Sequence, residues 1–129
     1  MSRMTRQELI DLAINAYFAN VDKKAMEAVL ATCHDDCVVT VQPGPTVHSG
    51  IDAIRRMFET LFSSYDKVWH GDFEVTADEE NQSVSARFNV HLEDAAGNVT
   101  RLSNCNFWYV EGGKFRRYFV YMSGQNVLP

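Results

Sequence analysis

The chain has 129 residues, of which 46% are hydrophobic and 12% aromatic, with a formal net charge of −5. That length suits one domain, read as a single unit over 1–129, and the apolar content is too high for a disordered chain. An acidic balance with scattered Lys and Arg argues against nucleic acid and anionic membranes as partners.

Thr5-Arg6-Gln7-Glu8 has the capping-box pattern that opens a helix. Ile10, Ala13, Ile14, Tyr17 and Val21 then recur at three- and four-residue steps and predict one buried face. Asp22 is placed to cap a second, shorter helix with Met26, Val29, Leu30 and Cys33 inward, ending near His34-Asp35-Asp36. Cys37 to Gln42 is a β-branched run that predicts a strand, and Pro43-Gly44-Pro45 turns it into a loop. Ser49-Gly50 starts a third helix, with Ile51, Ile54, Met57, Phe58, Leu61 and Phe62 on its apolar face.

From Lys67 the period becomes alternating, with Trp69, Phe73 and Val75 on one side and His70, Asp72 and Glu74 on the other. Asp78 to Gln82 is a polar turn, and Val84, Ala86, Phe88, Val90 and Leu92 mark the inner face of the next strand. Ala95 to Asn98 turns the chain again. Val99 to Glu111 and Lys114 to Ser123 are two more strands, joined by the hairpin pair Gly112-Gly113. No apolar segment approaches the roughly 18 to 20 residues of a membrane span. No secretory signal pattern follows Met1-Ser2-Arg3-Met4. Three cysteines, Cys33, Cys37 and Cys105, are an odd and sparse set that fits reduced thiols in a cytoplasm.

This order of elements resembles the NTF2-like superfamily, the cone fold of ketosteroid isomerases and SnoaL-like polyketide cyclases. The residues that carry the likeness are Asp35-Asp36-Cys37-Val38-Val39, His48-Ser49-Gly50-Ile51-Asp52-Ala53-Ile54 and Glu111-Gly112-Gly113-Lys114-Phe115. The resemblance implies an α+β fold of order α-α-β-α-β-β-β-β, three helices closing a curved antiparallel sheet over one small apolar pocket. It implies inward positions for Trp69, Phe73, Cys105, Phe107, Tyr109, Tyr118, Val120 and Met122. The opposite, convex face then carries Arg87, Asn89, His91, Asn104, Asn106, Trp108, Arg117, Phe119 and Tyr121, a mixture that suits pairing with a second copy.

Tyr17 stands at a spacing from Asp35-Asp36 that resembles that of the oxyanion-hole tyrosine of the ketosteroid isomerases. The resemblance puts Gln42 where that family carries its base, and Cys105 about where it carries a protonated Asp. A neutral amide cannot abstract a proton, so isomerase chemistry by that route is not supported, and His48 is the substitute base within reach of Gln42. The candidate catalytic residues are therefore Tyr17 and His48. Candidate ligand contacts are Gln42, Phe58, Trp69, Phe88, Cys105, Phe107, Tyr109, Tyr118 and Met122. Cys33, His34 and Cys37 do not complete a metal-ligand set, and neither a metal nor a cofactor is implied.

Three functions stay open at this stage. One is a lyase, isomerase or cyclase for a small, largely apolar carbonyl or polyol compound. Another is a binding module without catalysis. The third is an accessory subunit of a larger enzyme.

Overall fold

The computed structural model describes residues 3–129. The expected capping box is present: Thr5 Oγ1 accepts from the Glu8 amide at 3.2 Å, and Glu8 Oε1 accepts from the Thr5 amide at 2.9 Å. Three helical segments then run on without a break, α1 (Arg6–Asp11), a π-helical stretch (Leu12–Phe18) and α2 (Ala19–Asp22). In the π stretch the hydrogen bonds span five residues, as from the Ala19 amide to the Ile14 carbonyl. The wider winding brings the adjacent residues Tyr17 and Phe18 both into the core, where an α-helical stripe would bury Tyr17 alone.

The short helix α3 (Met26–Leu30) starts from Ala25, and Asp22 does not cap it. Strand β1 (Cys33–Gln42) begins earlier than the expected Cys37, so residues read as a helix end are strand. The expected loop after Pro45 contains a further strand, β2 (Thr46–Ser49), paired antiparallel with β1. Helix α4 (Ile51–Ser64) follows Gly50, whose φ of 89° lies in the region that glycine occupies without strain. Four long strands complete the chain: β3 (Lys67–Asp78), β4 (Ser83–Glu93), β5 (Val99–Glu111) and β6 (Lys114–Tyr121).

The strands form one sheet in the order β2-β1-β6-β5-β4-β3, antiparallel except for the β1–β6 pair. The helices cover one face of it. The core between them is aromatic, with Tyr17, Phe18, Phe58, Phe88, Trp108, Phe115 and Tyr118 in mutual contact or near it.

Two strands face differently from the sequence expectation. In β3 the pairing with β4 slips between Gly71 and Glu74, where β3 holds one residue more than its partner. Asp72 adopts φ 54° at that bulge, and its carboxylate accepts from the Asn89 amide at 3.0 Å. The extra residue reverses the alternation, so Val68, His70 and Phe73 all turn toward the helices. Trp69, expected inside, is 42% exposed, and His70, expected outside, is inside.

In β5 the register places Trp108 opposite Val84, Asn106 opposite Ala86 and Asn104 opposite Phe88. Paired residues share a face, so Asn104, Asn106 and Trp108 are buried under the helices rather than on the convex side. Cys105, Phe107 and Tyr109 are correspondingly outward, and Phe107 is 41% exposed. No helix of the described residues is long and apolar enough to cross a membrane.

Candidate active site

Between the helices and the sheet lies a cavity of ≈ 30 Å³, room for one or two waters. Its wall is made by Tyr17, Phe18 and Val21 from the first helix, Phe58 and Leu61 from α4, and His70, Phe88, Val90 and Leu92 from β3 and β4. Asn104, Asn106, Val120 and Met122 line it from β5 and β6, and Val127 and Leu128 from the segment beyond β6. Ligand pockets are typically some 300 to 1,000 Å³. The hollow expected from the sequence is thus present but nearly filled, and the segment 122–128 closes part of its wall.

The polar groups on this wall are few and ordered. His70 has a side chain 10% exposed, and its Nδ1 lies 2.6 Å from Asp22 Oδ1. The other carboxylate oxygen, Oδ2, accepts from the His70 main-chain amide at 3.0 Å. One carboxylate therefore grips both the ring and the backbone of the same residue. Phe18 and Phe88 flank the imidazole, with centroids 4.7 and 5.7 Å away. Since a carboxylate only accepts, Nδ1 carries the proton in this contact, and Nε2 is left as the lone-pair nitrogen when the ring is neutral. Nε2 has no hydrogen-bond partner among the described residues.

Tyr17 shares a hydrogen bond of 2.9 Å with Tyr118, hydroxyl to hydroxyl. Tyr17 lies on the cavity wall and Tyr118 behind it. Burial is the main cause that pushes both phenols well above their ordinary pKa, so both are protonated donors at neutral pH. Of the two amides, Asn104 Oδ1 accepts from the Ser123 amide at 3.4 Å, whereas Asn106 Oδ1 is buried with no protein partner among the described residues.

The structure brings Tyr17, Phe58, Phe88 and Met122 together on the cavity wall, with Tyr118 in direct support. His48 is not there. It stands half-buried on β2 and its Nε2 donates to the Leu128 carbonyl at 3.0 Å, which ties down the segment that closes the cavity. Gln42 ends β1, where its carbonyl accepts from the Met122 amide at 3.1 Å, and its side chain is not part of the wall. Trp69, Cys105, Phe107 and Tyr109 lie on the opposite side of the sheet.

Sequence reasoning missed Asp22, His70, Asn104 and Asn106. A signal for the histidine was present in Gly71-Asp72, two residues that tolerate the positive φ of a bulge inside an otherwise regular strand. Nothing local marks Asp22, which resembles any helix-capping residue. Among the described residues no three His, Cys, Asp or Glu side chains gather in a metal-binding arrangement.

A helix-covered curved sheet with a wall of this kind defines the NTF2-like class of cone folds. The SnoaL-like domain family matches residues 14–118, and the chain belongs to that family. Among solved structures, a polyketide cyclase candidate from Xanthomonas campestris pv. campestris is 25% identical, covers 90% of both chains and superposes with a TM-score of 0.80. An aromatic ring hydroxylase candidate from Novosphingobium aromaticivorans is 27% identical over 93% of this chain and 90% of its own, with a TM-score of 0.74. The BvnE pinacolase of Penicillium brevicompactum, 14% identical, shares the fold over 95% of this chain and 88% of its own at a TM-score of 0.78. Among curated proteins none matches the sequence significantly.

Proposed function

We propose that this protein is an acid–base enzyme of the lyase, isomerase or cyclase type, acting on a small, largely apolar carbonyl or polyol compound without a cofactor. The observation that carries this reading is the Asp22–His70 pair, 2.6 Å between Oδ1 and Nδ1, with the imidazole on the wall of an interior cavity that also contains a buried tyrosine. His70 Nε2 is the base. It removes a proton from a carbon next to a carbonyl or from a hydroxyl, and Asp22 stabilises the imidazolium that forms.

The Tyr17 hydroxyl donates to the oxygen on which negative charge develops, while Tyr118 donates to Tyr17 and turns its proton toward the cavity. Protonated His70 then returns its proton to a departing hydroxyl or to a second carbon, which gives elimination or isomerisation from one geometry. Polyketide cyclase candidates and a pinacolase among the similar structures support a reaction of this class.

The closed cavity holds one or two waters, so on this reading a substrate enters by displacing the segment 122–128 that closes its wall; proton abstraction can then be read without knowing the natural substrate. The protein is added to 1-indanone in D2O, and loss of the proton signal beside the carbonyl is followed by NMR. Wild type is expected to accelerate exchange over buffer, and His70→Gln to lose about a hundredfold or more of that acceleration. Equal exchange by both proteins, or none by wild type, would replace catalysis with the binding-module reading.

A further inference from the structure

We infer that residues 126–128 are a latched plug, an intramolecular occupant of the apolar cavity that β2 holds shut through His48 and Thr46 and that a small apolar ligand displaces. The inference rests on the proposed function in one respect, that this cavity receives the ligand, and not on catalysis there.

Beyond Tyr121 the chain forms neither helix nor strand, yet Val127 and Leu128 are only 7% and 8% exposed. Both stand on the cavity wall with Phe58, Leu61 and Leu92. Ser123, Gly124 and Gln125 before them and Pro129 after them are exposed, so a single layer of chain separates this part of the cavity from water. An apolar pair folded against an apolar wall does what a ligand of the same polarity would do, which is to take that wall out of water.

The segment is fixed at one end and latched at the other. At the fixed end the Met122 amide donates to the Gln42 carbonyl at 3.1 Å, and the Ser123 hydroxyl accepts from the Ser103 amide at 2.9 Å. At the latched end His48 Nε2 donates to the Leu128 carbonyl at 3.0 Å, and Asn126 Nδ2 donates to Thr46 Oγ1 at 3.1 Å. Asn126 Oδ1 accepts from the Leu128 amide at 2.8 Å, which folds the pair into its inward posture. Thr46 and His48 are alternate residues of β2 and share one face of that edge strand. Past Met122 the segment makes no main-chain-to-main-chain hydrogen bond among the described residues. Chain held by so few backbone bonds opens locally without global unfolding. Closure therefore depends on two latch contacts and two apolar side chains, and a ligand's apparent affinity scales with the fraction of molecules in which they have let go.

The test titrates 1-indanone into the full chain, followed by amide NMR resonances, in wild type and in a double variant, Thr46→Val with His48→Leu. That variant removes both latch contacts and leaves the cavity wall intact. Loss of two hydrogen bonds should raise the apparent affinity about tenfold or more, with the Val127 and Leu128 resonances moving to the shifts of an exposed chain. In wild type, saturating 1-indanone should speed hydrogen exchange at the Leu128 amide at least about tenfold and slow it at Val90, a reading that holds even if the double variant fails to fold. Equal affinity in the folded variant, no binding by either protein, or a Leu128 amide whose exchange the ligand leaves alone or slows would overturn the plug.

Measuring proton exchange of 1-indanone in the same samples separates this inference from the catalytic one. Tighter binding by the double variant without exchange that depends on His70 keeps the latch and removes the enzyme. Unchanged binding beside normal exchange removes the latch and keeps the enzyme.

Discussion

Asp22 spends both carboxylate oxygens on a single residue, one on the ring of His70 and one on its backbone amide. The two interactions hold the imidazole at one angle and one tautomer, which is the state a base needs before any substrate arrives. Asp22→Asn keeps the size but offers a weaker acceptor and can stabilise the opposite tautomer. Its exchange rate with 1-indanone should fall at least about a hundredfold, while its thermal unfolding shows whether the fold is intact.

Tyr17 and Tyr118 make a pH-dependent contribution whose sign follows from burial. Both hydroxyls hold their protons in the folded chain above the ordinary value of 10.0, chiefly because burial penalises the phenolate. Once unfolded they ionise at that ordinary value, so above it the unfolded state binds fewer protons and stability falls as pH rises. Urea midpoints should be flat in this respect through neutral pH and decline above about pH 10. Tyr17→Phe should flatten that decline. It should also destabilise the protein by about 1 to 3 kcal/mol at neutral pH, because Tyr118 loses its buried partner.

Among the elements, the bulge in β3 does most to place the proposed base. Regular alternation would place His70 beside Asp72 and Glu74 on the outer face; one extra residue turns it inward beside Phe18 and Phe88. Asp72 sustains this with φ 54°, a conformation open to Asp and Gly and costly to a β-branched residue. Asp72→Val should cost about 1 to 2 kcal/mol in urea denaturation and reduce exchange activity through misplacement of His70. Asp72→Gly should preserve both the bulge and the activity.

The face of β5 was read inverted from the sequence for a related reason. Cys105, Phe107 and Tyr109 are the more apolar set, yet the set under the helices is Asn104, Asn106 and Trp108. Hydropathy identifies the core side of a strand only when the core has no polar task and the outside meets water. Helix α4 and the Gly112-Gly113 hairpin were legible because neither condition was broken there: a regular apolar stripe on one, and two glycines at φ 57° and 79° in the other.

At the scale of the whole molecule, the corrected outer face of the sheet is the remaining feature to explain. Trp69, Phe107 and Tyr121 are exposed there, and Phe107 meets Tyr121 edge to face at 6.0 Å. Arg117 lies over the Tyr109 ring at 4.4 Å, and Arg87 pairs with Glu74. Clustered aromatics with Arg at the margin have the composition of an interface centre and rim, and we propose that a second copy of this chain covers them. Light scattering should give a dimer mass for wild type. Phe107→Glu, which places a charge at the centre of the patch, should give a monomer with unchanged helix and sheet content; a monomeric wild type would remove the proposal.

The sequence by itself determined the order of the long elements, the main turns, the apolar face of α4 and the family, because periodicity, capping and turn chemistry are properties of neighbouring residues. Only the tertiary structure decided which polar groups meet. Asp22 and His70 lie 48 positions apart, and Tyr17 and Tyr118 lie 101 apart. Their encounters depend on a π-helical winding, a single bulge and the register of β5, each a shift of about one residue. Such shifts cost the local pattern almost nothing, but they reverse the side of the sheet on which a side chain stands.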